Sequence, residues 1–169
     1  VTWKDSKRLI ARIIGPRLAQ LGFVNPGRRM WRYRPAFVDV VFFECRRAGS
    51  FTVWFGCGLR DRVPINPEPC ECAFEVSPAN VFPWPPEWLR IRPPALAEAV
   101  FEEMAPRVVE AAEQWFGQLS TPQAAIRALL ANERHTPRHV FYGNPGSPSW
   151  QRIMADLVAA SNRTPPIAG

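Results

Sequence analysis

Arginines interleaved with aromatic residues are the groups in this chain best suited to do chemistry. Across residues 28–34, Arg28, Met30, Arg32 and Arg34 alternate with Arg29, Trp31 and Tyr33, and Arg46-Arg47 follow at the end of the next apolar run. Guanidinium groups grip phosphate oxygens through paired hydrogen bonds, and aromatic rings displayed on a sheet stack against unpaired bases. On this reading Arg28, Arg32, Arg34, Arg46 and Arg47 form a nucleic-acid-binding face. A plainer arrangement uses the same spacing. Trp31 and Tyr33 turn into the core, and the arginines form a solvated or ion-paired outer face with Glu71 and Glu75 as cross-strand partners.

Histidines and cysteines supply two further sets. His135 and His139 are four residues apart, with Glu133 nearby, which on a helix would put two imidazoles on one side. Pro137 between them disfavours that helix, and no third ligand is indicated. Cys70-Glu71-Cys72 is a C-x-C, not the C-x-x-C of zinc knuckles. Strand alternation puts both thiols on a buried face, with Cys57 as a neighbour across the sheet, so free thiols are expected. No metal and no cofactor follow from these sets.

Pro83-Trp84-Pro85-Pro86-Glu87-Trp88 is the most unusual local stretch. It could present a polyproline II ligand to a partner's aromatic groove, with Trp84 and Trp88 as the contacts. The alternative is intramolecular: the prolines stiffen the crossing from sheet to helix, and both tryptophans plug an edge of the core. Nucleophile elbows, phosphate-binding loops, dinucleotide fingerprints and H-E-x-x-H are all missing from the sequence. The balance leans away from an enzyme.

The elements that must position these groups follow from composition and periodicity. With 169 residues, 47% hydrophobic and 21% charged, the chain has the content of one globular domain, here 1–163 with a frayed tail at 164–169. No apolar run approaches the ~20 residues of a membrane span. Val1 to Lys7 is charged and lacks an apolar signal region, so a cytoplasmic setting is expected. The net charge of +6 is unevenly spread: residues 1–60 hold twelve Lys/Arg against three Asp/Glu, and residues 61–169 nine against twelve. Such asymmetry hints at an anionic partner.

Residues 3–21 read as an amphipathic helix with Ile10, Ile13, Ile14, Leu18 and Leu21 on one side, a kink or restart at Pro16, and a left-handed stop at Gly22. Strands follow at 28–34, 37–45, 51–59 and 70–76, the third carrying Gly56 and Gly58 on the face opposite Phe55 and Cys57, leaving room for a close neighbour. A long helix is expected from Ala95 to about Leu119, kinked at Pro106, then helices opened by Thr121-Pro122 and Ser147-Pro148. A block of strands followed by helices is the pattern of an α+β fold: an N-terminal helix, a four-stranded antiparallel sheet, and helices packed on one face.

The first third also carries a family pattern. Ile14-Gly15-Pro16-Arg17-Leu18, Leu21-Gly22-Phe23, Gly27-Arg28-Arg29, Trp31-Arg32-Tyr33 and Phe51-Thr52-Val53-Trp54-Phe55-Gly56 together resemble the bacterial domain of unknown function 4304. The resemblance spans about residues 8–60 and implies a small bacterial α+β domain; it carries no activity. The expected function is a non-enzymatic accessory or immunity-type module that docks a protein partner. Nucleic-acid binding by the basic sheet face is the alternative, and an enzyme with a site around His135 and His139 comes third.

Overall fold

Proline leaves its mark on the first helix one turn earlier than its own position. The computed structural model describes residues 3–45, 51–77, 84–85, 94–132 and 146–163. The chain starts as α1 (Trp3–Leu9), widens into a π-turn at Ile10–Ile14 and resumes as α2 (Gly15–Gln20). In a regular helix the ring of Pro16 would collide with the carbonyl four residues back; the wider turn makes room, and Pro16 falls in the first turn of α2. Leu9, Ile10, Ile13, Ile14 and Leu18 form the buried stripe. Gly22, at φ 86, ends the helix, and its N–H reaches the Ala19 carbonyl at 2.9 Å.

The strands are β1 (Arg29–Tyr33), β2 (Phe37–Cys45), β3 (Phe51–Leu59) and β4 (Phe74–Val76). They form an antiparallel meander in the order β1-β2-β3-β4. Pro35 and Ala36 join the first pair, with the Arg34 N–H bonded to the Phe37 carbonyl at 2.8 Å. The register sets Arg32 opposite Asp39, and Asp39 opposite Cys57. The fourth strand is shorter than its alternation predicts. Pro69–Glu71 winds into a 3-10 turn closed by a reciprocal Glu68–Glu71 capping box, so Cys70 is exposed rather than inward.

Helices cover one face of the sheet: α3 (Pro94–Gln118), α4 (Pro122–Asn132) and α5 (Pro148–Arg163). Met30, Val41, Phe43, Val53, Phe55 and Phe74 meet Phe101, Met104, Trp115 and Phe116 in a single core that also takes in the N-terminal helix, Leu129 and Leu157. The Phe55 ring centre lies 5.4 Å from that of Phe116 and 6.0 Å from that of Trp115. Thr121 and Ser147 cap their helices as expected, accepting the N–H of Ala124 at 3.1 Å and of Trp150 at 3.3 Å. α3 runs through Pro106 as one helix of 25 residues, with that proline on its exposed side.

The other face of the sheet is closed by the connection from β3 to β4. Trp31, Val38, Val40 and Cys72 form a second, smaller cluster there. The backbone lies so close that a Cβ on Gly56 would stand 2.7 Å from the Pro69 Cα, and one on Gly58 would stand 2.5 Å from a Val63 methyl. This is the close approach the two glycines predict. Ion pairs pin the periphery: Arg12–Glu98 at 2.7 Å and Arg17–Glu102 at 3.0 Å join the first helix to α3, and Arg62–Asp156 and Arg163–Asp61 tie α5 to the connection.

Candidate interaction surfaces along the first strand

β1 distributes its arginines between two environments. Arg32 and Arg34 lie on the helix-covered face, where Asp39 is fully buried. Asp39 accepts from the Arg32 Nε at 2.8 Å and from the Arg34 Nη2 at 2.6 Å. Each guanidinium also donates to the carbonyl end of a helix: Arg32 to Leu21 at 3.2 Å, just past α2, and Arg34 to Leu119 at 2.9 Å, just past α3. Those carbonyls carry the negative end of the helix dipole. The rings of Phe23 and Phe37 lie under the two cations, at 4.9 and 5.1 Å. Arg32 and Arg34 are therefore structural. Neither the phosphate-binding face nor the pairing with Glu71 and Glu75 describes them, and their side chains keep only 21% and 17% of their surface in solvent.

Sequence periodicity missed this cluster because it assigned arginine to the outside by type. The signal was Asp39, a single carboxylate within the otherwise apolar run 37–43 and one short hairpin from Arg32 and Arg34. A buried charge requires a partner, and the register supplies two.

Arg28 and Arg29 have a different setting. Arg28 is exposed, with its guanidinium carbon 4.7 Å from the centre of the Phe42 ring. Arg29 approaches the same ring at 5.3 Å and pairs with Glu68. Trp31 is buried under the β3–β4 connection and donates its indole N–H to the Pro67 carbonyl at 3.0 Å, so it offers no stacking platform. Tyr33, expected in the core, is 41% exposed and bonds Asn66 through its hydroxyl. Trp54 is half-buried and donates to Glu44 at 3.0 Å.

The three described thiols are free and poorly suited to attack or ligation. Burial, then the Asp39 carboxylate, pushes Cys57 well up; the same two causes raise Cys72. Partial desolvation and then Glu68 raise the exposed Cys70. Cys72 faces the smaller cluster and Cys57 the main core, so the thiols expected on one buried face are divided. No group of three metal-ligating side chains occurs among the described residues. Trp84 is half-buried and packs against the main core, which fits the intramolecular plug rather than a displayed ligand. Arg46, Arg47, Trp88, His135 and His139 lie outside the described residues. No helix among the described residues is long and apolar enough to cross a membrane. Compared with protein-family models, curated proteins and solved structures, the chain finds no match.

Proposed function

We propose that this chain is a non-enzymatic binding module that docks a partner protein through an apolar patch at the outer edge of β1. The carrying observation is that three of the five large apolar side chains exposed among the described residues, Val24, Tyr33 and Ile65, lie at this edge, while Leu130 and Val158 lie on α4 and α5. Val24 (52% exposed) bridges Trp31 across the β1 edge, with N–H to carbonyl distances of 2.7 and 3.2 Å. Paired residues in an antiparallel bridge project to one side, so Val24, Trp31 and Tyr33 share the face closed by the β3–β4 connection. Ile65, 88% exposed, adjoins Asn66, which holds the Tyr33 hydroxyl. Val24, Tyr33 and Ile65 thus lie along one rim. The Val24 bridge also blunts open-ended strand pairing, which favours recognition through side chains over strand addition.

The accessory or immunity-type role, in a cytoplasmic and bacterial setting, is an extension of this reading from the sequence. Its support is the resemblance of small motifs within about residues 8–60 to the domain of unknown function 4304. The test is affinity purification of the tagged chain beside a Val24→Ser/Ile65→Ser variant, with quantitative readout of co-purifying proteins. One stoichiometric protein retained by the parent and lost by the variant is the expected result. Recovery of no such protein, or equal recovery by both, overturns the proposal. Nucleic-acid binding is the second reading, supported by Lys4, Lys7 and Arg8, which recur at helical spacing and make no ion pair among the described residues. It has lost Arg32 and Arg34 as contacts.

A further inference from the structure

We infer that the partner segment docked at the β1 rim is acidic, with its apolar side chains against Val24 and its carboxylates against the exposed cations of α1. The inference rests on the docking reading above and adds the charge of the partner to it. The first helix carries two kinds of cation. Arg12 and Arg17 are matched by Glu98 and Glu102 of α3, at 2.7 and 3.0 Å. Lys4, Lys7 and Arg8 are exposed, and none of them makes an ion pair among the described residues. Their spacing puts them on one side of α1, whose only carboxylate, Asp5, is half-buried. Like charges three and four residues apart on a helix repel, and carboxylates brought by a partner relieve that repulsion.

The cations and the apolar rim belong to one surface. A groove of about 410 Å³ at the outer edge of β1 is lined by Lys7 from α1 and by the turn 25–27 and Trp31. Trp31 is the residue that Val24 bridges, and Val24 leads directly into that turn. A segment lying along this edge therefore passes from an exposed aliphatic side chain to exposed ammonium and guanidinium groups. Arg28 and Arg29 also line the groove, but Arg29 is already paired with Glu68 and Arg28 rests on the Phe42 ring, so the charge offered to a partner is that of α1. The same cations would attract nucleic acid, yet the side chains beside them do not suit it. Val24 and Ile65 have no ring to stack on a base, and Trp31 is buried. Aliphatic side chains next to cations suit a protein segment that mixes apolar and acidic residues.

The test is selection of binders to the full chain from a random peptide library displayed on phage, followed by fluorescence anisotropy on the recovered peptides. Peptides rich in Asp and Glu beside apolar residues are expected, with affinity that falls as salt is raised. Replacing Lys4, Lys7 and Arg8 together by Gln should weaken them by about tenfold, as for three exposed charge contacts. Val24→Ser should weaken them as well, and both variants change exposed positions, so the denaturation midpoint should stay that of the parent. Peptides that need Val24 and are indifferent to the three cations overturn this inference and leave docking at the rim standing. Peptides that need neither, or no enriched peptide at all, count against both. Peptides that need the cations but not Val24 also overturn it, and their displacement by a single-stranded oligonucleotide would assign the cations to nucleic acid.

Discussion

The two ends of β1 carry the same residue type to opposite ends. Arg32 and Arg34 are drawn inward because a buried carboxylate lies across the hairpin and two helix carbonyl ends converge on the same spot. Arg28 and Arg29, at the other end of the strand, have the Phe42 ring, Glu68 and the open flank of α1 for neighbours. A guanidinium placed among fixed acceptors becomes part of the architecture. One placed at the rim beside the Phe42 ring keeps more of its surface in solvent, as Arg28 does. The total charge of the chain therefore overstates its appetite for anions, since Arg12, Arg17, Arg32 and Arg34 are all paired internally.

The sharpest way to break this comparison is to treat both ends alike and measure stability. Asp39→Asn keeps the shape but leaves Arg32 and Arg34 without their carboxylate. It should cost about 3 kcal/mol by urea denaturation, at the low end for a broken buried pair because both arginines retain some solvent contact. Lys7→Gln at the open end should change stability by less than about 0.5 kcal/mol. Comparable losses at the two positions would erase the distinction between them. Arg32→Glu, which sets a second carboxylate against Asp39, reports on folding and cannot diagnose ligand binding.

A smaller effect sharpens the buried end. Cys57 lies beside Asp39, and burial first and that carboxylate second hold its thiol protonated in the folded chain. In the unfolded chain the thiol ionises at its ordinary value, so protons are then bound more tightly by the folded form. Stability from this source is complete below about pH 8.5 and declines as the pH rises above it. Cys57→Ala should flatten that alkaline decline in a series of denaturation midpoints; an unchanged slope would remove Cys57 from the account. Smallest is the outer pairing of α3 with the first helix. Arg12→Ala should cost only a few tenths of a kcal/mol, since Arg12 and Glu98 are both well exposed.

Legibility in the sequence tracked how local the cause was. Helical spacing from Ile10 to Leu18, the Gly22 stop, the Thr121 and Ser147 caps and the two-residue alternation of 51–59 depend on neighbours along the chain, and each is present in the structure. The glycines of β3 announced a close approach without naming what approaches. Pro69 and Val63 arrive from the connection between β3 and β4. Alternation through 70–76 failed for a physical reason as well. Pro69 has no N–H to give a strand, and the Glu68–Glu71 capping box favours a tight turn, so pairing begins only at Phe74.

By itself, then, the sequence determined the α+β class and the order of its elements, because backbone propensity and apolar period are properties of short stretches. It also determined that the first third would be basic. Tertiary structure alone decided which of those charges are used up. Asp39 meets Arg32 and Arg34 only once the hairpin sets its register, and the Leu21 and Leu119 carbonyls, the latter 85 residues from Arg34, reach them only when the helices pack on the sheet. Electrostatic pairing depends on distance in space, which alternation along a strand does not encode.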